Sequence, residues 1–554
     1  MIKSSIIYIA SAIVIILSAC AKKDPVQQAN ETIKVKDLEK YVKTLGSDDF
    51  LGRKPFTEGE KITIDYLSEE FEKMGLEPAN NGRYLQKVPM VEVSVHPDEK
   101  MIFNTPGKNV SLSYRDEFVA TTRWLTDEKI TLDNSDVVFA GFGINSPEYD
   151  WNDYEDIDVR GKTVIVFVND PGYGTNNEEL FNANAMTYYG RWTYKYEEAA
   201  RQGAEAILII HETGPAGYPF SVSRNGAVVP KLYLKPDDNY QSRCPVEGWL
   251  TNEAADELFS TLGYELEDLK EQARNHDFTP VDLNASLSFS MKSQHTFNDS
   301  YNVMGYIPGT ERADEVIIYS AHWDHFGVDS SLEDDSIYNG AVDNGTSLAW
   351  MMEIADAFTS LDEKPKRSVM FFAPTAEEQG LIGSKHYVNS PVFPLHNTVA
   401  NINNDLMLPY GRYKDIMVTG HGQSELDDLL EELAEDYDRY VYPDPNPHTG
   451  MYYRSDHFAF AKKGVPALFA RGNCDSREHG KEWAKEKEKF WLENRYHKPS
   501  DEYNPDTWDL SGIRDDARIM FHLGYKLAND TIFPAWEEGS EFKSLREKMI
   551  ENQQ

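Results

Sequence analysis

Three apolar runs in the second half of the chain are each followed closely by acidic or imidazole side chains. The runs span residues 316–321, 368–373 and 398–402. Runs of this length are typical of buried strands in a parallel sheet. Residues 344–358 lie between the first two runs and carry apolar side chains at helical spacing. The order strand, helix, strand predicts a parallel sheet with crossover helices.

Five side chains of metal-binding type stand out in this half of the chain: His322, Asp343, Glu378, Asp405 and His497. Three of them come just after the predicted strands, Asp343 lies at the start of the predicted helix, and His497 lies farther along the chain. The carboxyl ends of parallel strands meet at one edge of a sheet, where open α/β sheets carry their crevice. Imidazole and carboxylate are zinc ligands, and a pair of cations can activate water and polarise a carbonyl together. A lone histidine is usually a surface or core residue, and Asp343 alone would be an N-cap. Their joint position therefore favours one site for two cations.

Short motifs around these residues resemble the co-catalytic di-zinc exopeptidases of metallopeptidase family twenty-eight. The motifs are, in the order of the family, Ser320–Gly327, Asn339–Ser347, Thr375–Ser384, Asn403–Asp405, Arg454–His457 and Tyr496–Asp501. The similarity runs from about Leu38 to the C-terminus. It implies an α/β zinc-exopeptidase fold, with a mixed, mostly parallel sheet sandwiched by helices and an inserted β-rich protease-associated domain.

The resemblance also implies the metal ligands. His322 and His497 each bind one of two zinc ions per chain, and Asp343 bridges the ions. Glu378 and Asp405 are the terminal carboxylates.

The resemblance assigns three further residues to catalysis. Glu377 is the general base, and Asp324 orients His322 from behind. The Tyr496 hydroxyl supports the oxyanion, the alternative being an aromatic ring that only packs beside a ligand. The peptide bond after Asp343 is expected to be cis.

Other polar residues near the motifs have plainer interpretations. His325 is expected close to the site without binding metal. Asp456 and His457 are expected at a helix start or in a pocket wall. His479 lies in a charged loop and is expected to be solvated. Arg471 follows an apolar run and is expected in a surface ion pair, the alternative being a position in the crevice.

The N-terminus resembles a bacterial lipoprotein signal. Residues 1–20 contain a short apolar core and end in Leu-Ser-Ala-Cys. The core is too short for a comfortable membrane span, and the ending resembles a lipobox, which implies cleavage and lipidation at Cys20. Ala21 favours the outer membrane, facing the periplasm or the exterior. Residues 21–36 are then a polar tether. The alternative is a short uncleaved anchor.

Composition excludes some functions. The 93 acidic and 55 basic residues give a formal net charge of -38, which makes nucleic acid an improbable partner. Beyond Cys20, only Cys244 and Cys474 remain, so a Cys-rich metal site is excluded. The sequence leaves open whether these two cysteines form a disulfide.

The length of 554 residues predicts two or three domains. The catalytic domain is expected to be discontinuous, over residues 37–109 and 291–554. Residues 110–290 resemble a protease-associated domain, which is expected either to wall the crevice or to serve only as a packing module.

The resemblance implies a lipid-anchored extracytoplasmic aminopeptidase that acts on peptides with a free N-terminus. The lipid anchor is the only membrane contact expected. A carboxypeptidase or dipeptidase of the same family is the first alternative, and it would need a cationic pocket for the terminal carboxylate. A glutaminyl cyclase-like acyltransferase would use a single zinc. A receptor of the transferrin receptor type would lack the ligands and the base.

Overall fold

The computed structural model describes residues 24–177 and 179–552. The predicted signal peptide and the lipidation site at Cys20 lie outside the described residues.

The predicted tether over residues 21–36 is not a free polar linker where the structure describes it. Residues 25–30 form a helix, and three apolar side chains from this segment pack into the main core. They are Val26, Ala29 and Ile33. The surrounding polar residues masked this apolar face in the sequence.

The helices of the described chain are α1 (Pro25–Asn30), α2 (Val35–Leu45), α3 (Glu58–Lys73), α4 (Trp192–Arg201), α5 (Thr213–Ala216), α6 (Phe220–Gly226), α7 (Asn252–Thr261), α8 (Leu266–Ala273), α9 (Ser347–Thr359), α10 (Ile382–Asn389), α11 (Leu426–Ala434), α12 (His457–Ala461), α13 (Gly480–Asn494), α14 (Ser511–Asn529) and α15 (Lys543–Glu551).

The strands are β1 (Glu77–Pro78), β2 (Leu85–Pro97), β3 (Lys100–Asn104), β4 (Val110–Ser113), β5 (Phe118–Thr121), β6 (Ile130–Phe139), β7 (Asn145–Ser146), β8 (Trp151–Asn152), β9 (Thr163–Phe167), β10 (Ala206–His211), β11 (Lys231–Leu234), β12 (Val246–Thr251), β13 (Val281–Ile307), β14 (Arg312–Ser320), β15 (Gly327–Val328), β16 (Ile337–Tyr338), β17 (Arg367–Ala373), β18 (Thr398–Asn403), β19 (Asp415–Val418), β20 (Tyr440–Pro443) and β21 (Ala467–Arg471).

The predicted mixed, mostly parallel sheet forms the centre of the unit that the sequence predicts to be catalytic, called the catalytic unit below. Strands β17, β14, β18 and β21 lie side by side and run parallel. Strand β13 pairs antiparallel with β17 at one side, and β19 pairs antiparallel with β21 at the other. The α/β fold class is confirmed.

Helices cover both faces of this sheet because its strands are apolar on both sides. In β14, Ile317 and Tyr319 face a core shared with α2, α9, α11 and α14. Val316 and Ile318 face the opposite core, which is shared with α10 and α12. Successive side chains of a strand point to opposite faces, so one apolar run supplies both cores. The carboxyl ends of the strands remain as the open edge.

A second unit is joined to the catalytic sheet by one long strand pair. Strand β13 pairs with all of β2, from Val303 opposite Leu85 to Met291 opposite Pro97. Beyond this ladder, β6, β9, β10 and β12 form a parallel group with its own apolar cores. The second unit therefore has hydrophobic cores of its own.

The two units also meet through side chains. Lys462 of the catalytic unit lies 2.7 Å from Glu197 of the second unit. Glu541 accepts hydrogen bonds at 3.0 Å from the Tyr188 backbone N–H and the Tyr453 hydroxyl. These contacts fix the second unit beside the segment that begins α12.

Cys244 and Cys474 are free thiols, so the disulfide that the sequence left open does not form. Cys244 is buried in a core of the second unit, whereas Cys474 follows β21 in the catalytic unit. Over the described ranges, no helix has the length and apolar character needed to cross a membrane.

Candidate metal centre

Two histidines and three carboxylates converge beyond the carboxyl ends of the central strands. His322 follows β14, Glu378 follows β17 and Asp405 follows β18. Asp343 lies in the turn before α9, and His497 lies in the loop after α13. The His497 side chain is 36% exposed, and the other four side chains are nearly inaccessible. The centre is thus a buried cluster with His497 at its rim.

Asp343 lies between the two histidines. Its Oδ1 is 3.5 Å from His322 Nε2, and its Oδ2 is 3.3 Å from His497 Nε2. Asp405 Oδ1 lies 3.4 Å from His322 Nε2, and Glu378 Oε2 lies 3.3 Å from His497 Nε2. The structure therefore brings all five predicted ligands together.

These separations fit two tetrahedral zinc ions. Zinc bonds of about 2.0–2.1 Å place neighbouring ligand atoms about 3.3–3.4 Å apart. The four separations lie between 3.3 and 3.5 Å. His322 Nε2 and Asp405 Oδ1 are also buried without a hydrogen-bond partner in the described part of the chain. Buried polar atoms are rarely left so, and a bound cation would satisfy both.

Two other side chains lie close enough to be considered as ligands. A carboxylate oxygen of Glu377 lies within 4.8 Å of a ring nitrogen of His322, and a ring nitrogen of His325 lies within 4.8 Å of a carboxylate oxygen of Glu378. The distance from His325 Nδ1 to Glu378 Oε1 is 2.6 Å, which is a hydrogen-bond length rather than the spacing of two ligands on one ion. Glu377 Oε2 lies 3.8 Å from His322 Nε2, beyond the tetrahedral spacing. Geometry therefore favours His497 over His325 as the second imidazole ligand.

Asp324 lies beneath both halves of the centre. Its backbone carbonyl accepts from His322 Nδ1 at 3.1 Å, which leaves Nε2 to face the centre. Its carboxylate accepts the N–H of Glu377 at 2.9 Å and of Glu378 at 3.3 Å. Burial raises the pKa of Asp324 to about 7, against the opposing charge of His322. The Asp324 carboxylate thus fixes the glutamate turn, and its carbonyl orients the histidine.

The charges of the centre shift several pKa values. Burial raises the pKa of the Glu377 carboxyl well above its usual range, although His322 opposes the shift. Burial lowers the pKa of His322, but Glu377 and Asp405 outweigh it and raise the pKa well above normal. Burial likewise opposes the rise at His497, where Glu378 and Asp343 bring the pKa to about 10. A carboxyl with a raised pKa can both take and return a proton.

The turn that carries Asp343 has the predicted cis peptide between Asp343 and Asn344. Asp501 accepts the backbone N–H groups of Val342 at 3.1 Å and of Asp343 at 3.0 Å. Burial raises the pKa of Asp501 to about 6. The sequence analysis gave Asp501 no role, although it ends the last motif.

Arg53 supports the same turn through backbone carbonyls of the turn, whereas Asp501 binds its N–H groups. It is fully buried and donates to the carbonyls of Leu45 at 2.7 Å and Trp323 at 2.9 Å. It also donates to the carbonyls of Gly340 at 2.9 Å and Asp343 at 3.3 Å. The sequence analysis missed Arg53 because it lies outside every motif, and an isolated arginine gives no signal of burial.

Tyr496 packs beside a ligand and faces the centre. Its ring centroid is 3.7 Å from that of His497 and 5.5 Å from that of Trp491. Burial, reinforced by the carboxylates of the centre, raises the pKa of its hydroxyl well above normal. The hydroxyl is therefore a neutral donor near the cluster.

The remaining sequence expectations have mixed outcomes. Asp456 and His457 do begin α12, as predicted, and both are fully buried. The His479 side chain is 50% exposed, in agreement with a solvated position. The surface ion pair expected for Arg471 is wrong. Arg471 is 5% exposed because it ends β21 where Met417 of β19 pairs with it, and its guanidinium lies 4.6 Å from the ring of Phe469.

Comparison with known proteins finds a family match in the second half of the chain. Residues 302–521 match the model of Peptidase family M28. A probable glutamate carboxypeptidase of Arthroderma benhamiae is 28% identical over 271 residues, covering 45% of this chain and 33% of that protein. Leucine aminopeptidase 2 of Trichophyton rubrum is 32% identical over 178 residues, covering 30% of this chain and 32% of that protein. The chain thus spans about a third of the length of these relatives.

A solved aminopeptidase from Aneurinibacillus sp. strain AM-1 is similar along most of the chain. The match covers 92% of this chain and 97% of the other, with 16% sequence identity and a TM-score of 0.48.

Proposed function

We propose that the protein is a metallo-aminopeptidase of peptidase family M28 with two zinc ions, and the match of residues 302–521 to the model of that family supports the proposal. The proposal is carried by one observation, the position of Asp343 between His322 and His497 at ligand spacing. A carboxylate that lies at ligand spacing from two imidazoles can bridge two metal ions, each held by one of the imidazoles.

The residues of the centre would act on a peptide bond as follows. Bound zinc would polarise the scissile carbonyl as a Lewis acid and would lower the pKa of a bound water to about 7. Glu377 takes the proton of the attacking water and returns it to the leaving amine. The Tyr496 hydroxyl donates to the developing oxyanion. The Asp324 carboxylate accepts the backbone N–H of Glu377 and so holds Glu377 in place during both proton transfers.

A chain of formal net charge -38 suits a substrate with a free amino group. At the centre itself, two bound zinc ions would offset the charge of the four carboxylates, which belong to Asp343, Glu377, Glu378 and Asp405. A protonated N-terminus would therefore be attracted by the negative charge of the surrounding chain. This attraction supports removal of residues from the N-terminus over internal cleavage.

A carboxypeptidase is the second candidate, because two arginines lie at the junction of the units without a carboxylate partner among the described residues. A side chain placed at Gly450 would contact Arg191, and Arg454 donates to the Thr449 carbonyl at 2.8 Å. Burial, and then the charge of Arg454, lowers the pKa of Arg191 to about 10. Such a pair could bind a terminal carboxylate.

Substrate panels separate these activities. Aminoacyl p-nitroanilides with free and N-acetylated amino groups, together with N-blocked dipeptides, would be tested alongside zinc analysis. The proposal expects two zinc ions per chain and hydrolysis only where the amino group is free. Cleavage of N-blocked dipeptides with a free carboxylate would instead establish the carboxypeptidase.

The proposed location is the outer membrane, through a lipid on Cys20. The support is the Leu-Ser-Ala-Cys sequence that ends the apolar N-terminal segment. Mass spectrometry of the mature N-terminus tests this proposal. An unprocessed Met1 would reject it.

A further inference from the structure

His325 is a third imidazole at the centre, and its contacts differ from those of a metal ligand. It is fully buried, and its Nδ1 lies 2.6 Å from Glu378 Oε1. The other oxygen of the same carboxylate, Oε2, lies 3.3 Å from His497 Nε2. One oxygen of Glu378 therefore faces a hydrogen-bond donor, and the other faces the centre.

We infer that His325 is a positioning residue, which donates from Nδ1 to Glu378 and so aims the free oxygen of that carboxylate at the second metal. This inference rests on the proposed two-zinc function. A hydrogen bond to one oxygen removes rotational freedom from the carboxylate, and outer partners of this kind raise metal affinity. Nδ1 engaged in this bond cannot also coordinate an ion.

Packing extends the role of His325 to the bridging ligand. A Cβ placed on Gly340 would lie 2.6 Å from His325 Cδ2 and 2.7 Å from His325 Cγ. Gly340 has a φ of +57°, so glycine suits both its backbone and its closeness to the imidazole. The turn that begins at Gly340 carries Asp343. The imidazole thus buttresses one carboxylate ligand and hydrogen-bonds another.

Arg53 connects these contacts into one support. The His325 backbone N–H donates to the Arg53 carbonyl at 3.3 Å. The Arg53 guanidinium in turn donates to the Gly340 carbonyl at 2.9 Å. Arg53 therefore contacts both the backbone of His325 and the turn that begins at Gly340.

Two isosteric variants separate hydrogen bonding from packing. His325→Asn keeps an N–H donor close to the position of Nδ1, whereas His325→Leu has a similar size without the donor. Each full-length protein would be stripped of metal and titrated with zinc against a chromogenic chelator. We expect two zinc ions in the wild type. We expect one of them to bind about 10–100-fold more weakly in H325L, whereas H325N stays close to wild type.

The difference between the variants decides the inference. Equal zinc affinities in H325L, H325N and wild type would overturn it, and an equal loss in both variants would also overturn it in favour of direct coordination or packing. If H325L does not fold, His325→Gln replaces it, because its amide extends beyond the Nδ1 position and the same loss is expected. A wild-type protein with fewer than two zinc ions would instead reject the proposed function.

Discussion

Glu377 and Glu378 are consecutive residues whose carboxylates face different histidines. Glu377 Oε2 lies 3.8 Å from His322 Nε2, and Glu378 Oε2 lies 3.3 Å from His497 Nε2. The turn between β17 and α10 makes this divergence possible, and the Asp324 carboxylate accepts both backbone N–H groups. One short turn therefore presents one carboxylate to each half of the centre.

This arrangement predicts different outcomes for the two glutamates. Glu377→Gln should keep two zinc ions and lose turnover by about 10²–10⁴-fold, because an amide cannot take the proton of water. Glu378→Gln should lower the zinc content, because it removes a ligand charge. Zinc analysis and kcat on a free aminoacyl p-nitroanilide check both. Turnover of E377Q near that of wild type would remove Glu377 from the mechanism.

Arg53→Lys should destabilise the fold and loosen the centre. A lysine ammonium has three donors and no planar fork, so it cannot replace the bonds of Arg53 to the carbonyls around the Asp343 turn. We expect a loss of about 3 kcal/mol in the free energy of unfolding, since each buried carbonyl left unpaired costs about 1–3 kcal/mol. Urea unfolding of R53K and of the wild type measures this loss.

The control for this variant is Arg83→Lys at an exposed position. It should change the free energy of unfolding by less than about 0.5 kcal/mol. A stability of R53K equal to that of R83K would contradict the role assigned to Arg53.

Zinc binding to the metal-free protein should release protons. The neighbouring carboxylates bring the pKa of His497 to about 10 and raise that of His322 well above normal, so both imidazoles carry a proton at pH 7. Zinc binds only neutral imidazole, so about two protons should leave as the centre fills. A pH indicator in weakly buffered solution records the release, and zinc affinity should fall as the pH is lowered. Binding without proton release would contradict these protonation states.

The sequence predicted the central sheet and most of the residues that meet at its edge for a simple physical reason. Apolar runs that are buried on both faces leave only their polar ends to carry function, and His322 and Asp405 lie at such ends. The position of His497 could be predicted only from its motif, because it follows the helix α13 rather than a strand.

The supporting residues could not be predicted in the same way. Arg53 acts through backbone carbonyls that are distant in sequence, and a carbonyl leaves no trace in residue identity. The burial of Arg471 depends on the antiparallel strand β19 beside it, which the sequence analysis did not identify. The first helix was mistaken for a tether because its few apolar residues are separated by polar ones.

Glu353→Gln should make stability less dependent on pH. Glu353 is 2% exposed in α9 and accepts the backbone N–H of Lys34 at 2.8 Å. Burial raises its pKa to about 8, from 4.5, although the Lys34 N–H opposes the shift. Between these values the unfolded chain has lost the proton and the folded chain keeps it, so stability falls as the pH rises through this window. A glutamine keeps the acceptor oxygen and does not titrate.

The E353Q protein should therefore gain stability relative to wild type between pH 5 and pH 8, on the order of 1–3 kcal/mol. Urea unfolding at both pH values measures the difference, with the exposed Glu72→Gln as the matched control. A difference between E353Q and wild type that is the same at pH 5 and pH 8 would show that Glu353 is ionised in the folded protein. Its burial would then be offset by contacts other than the Lys34 N–H.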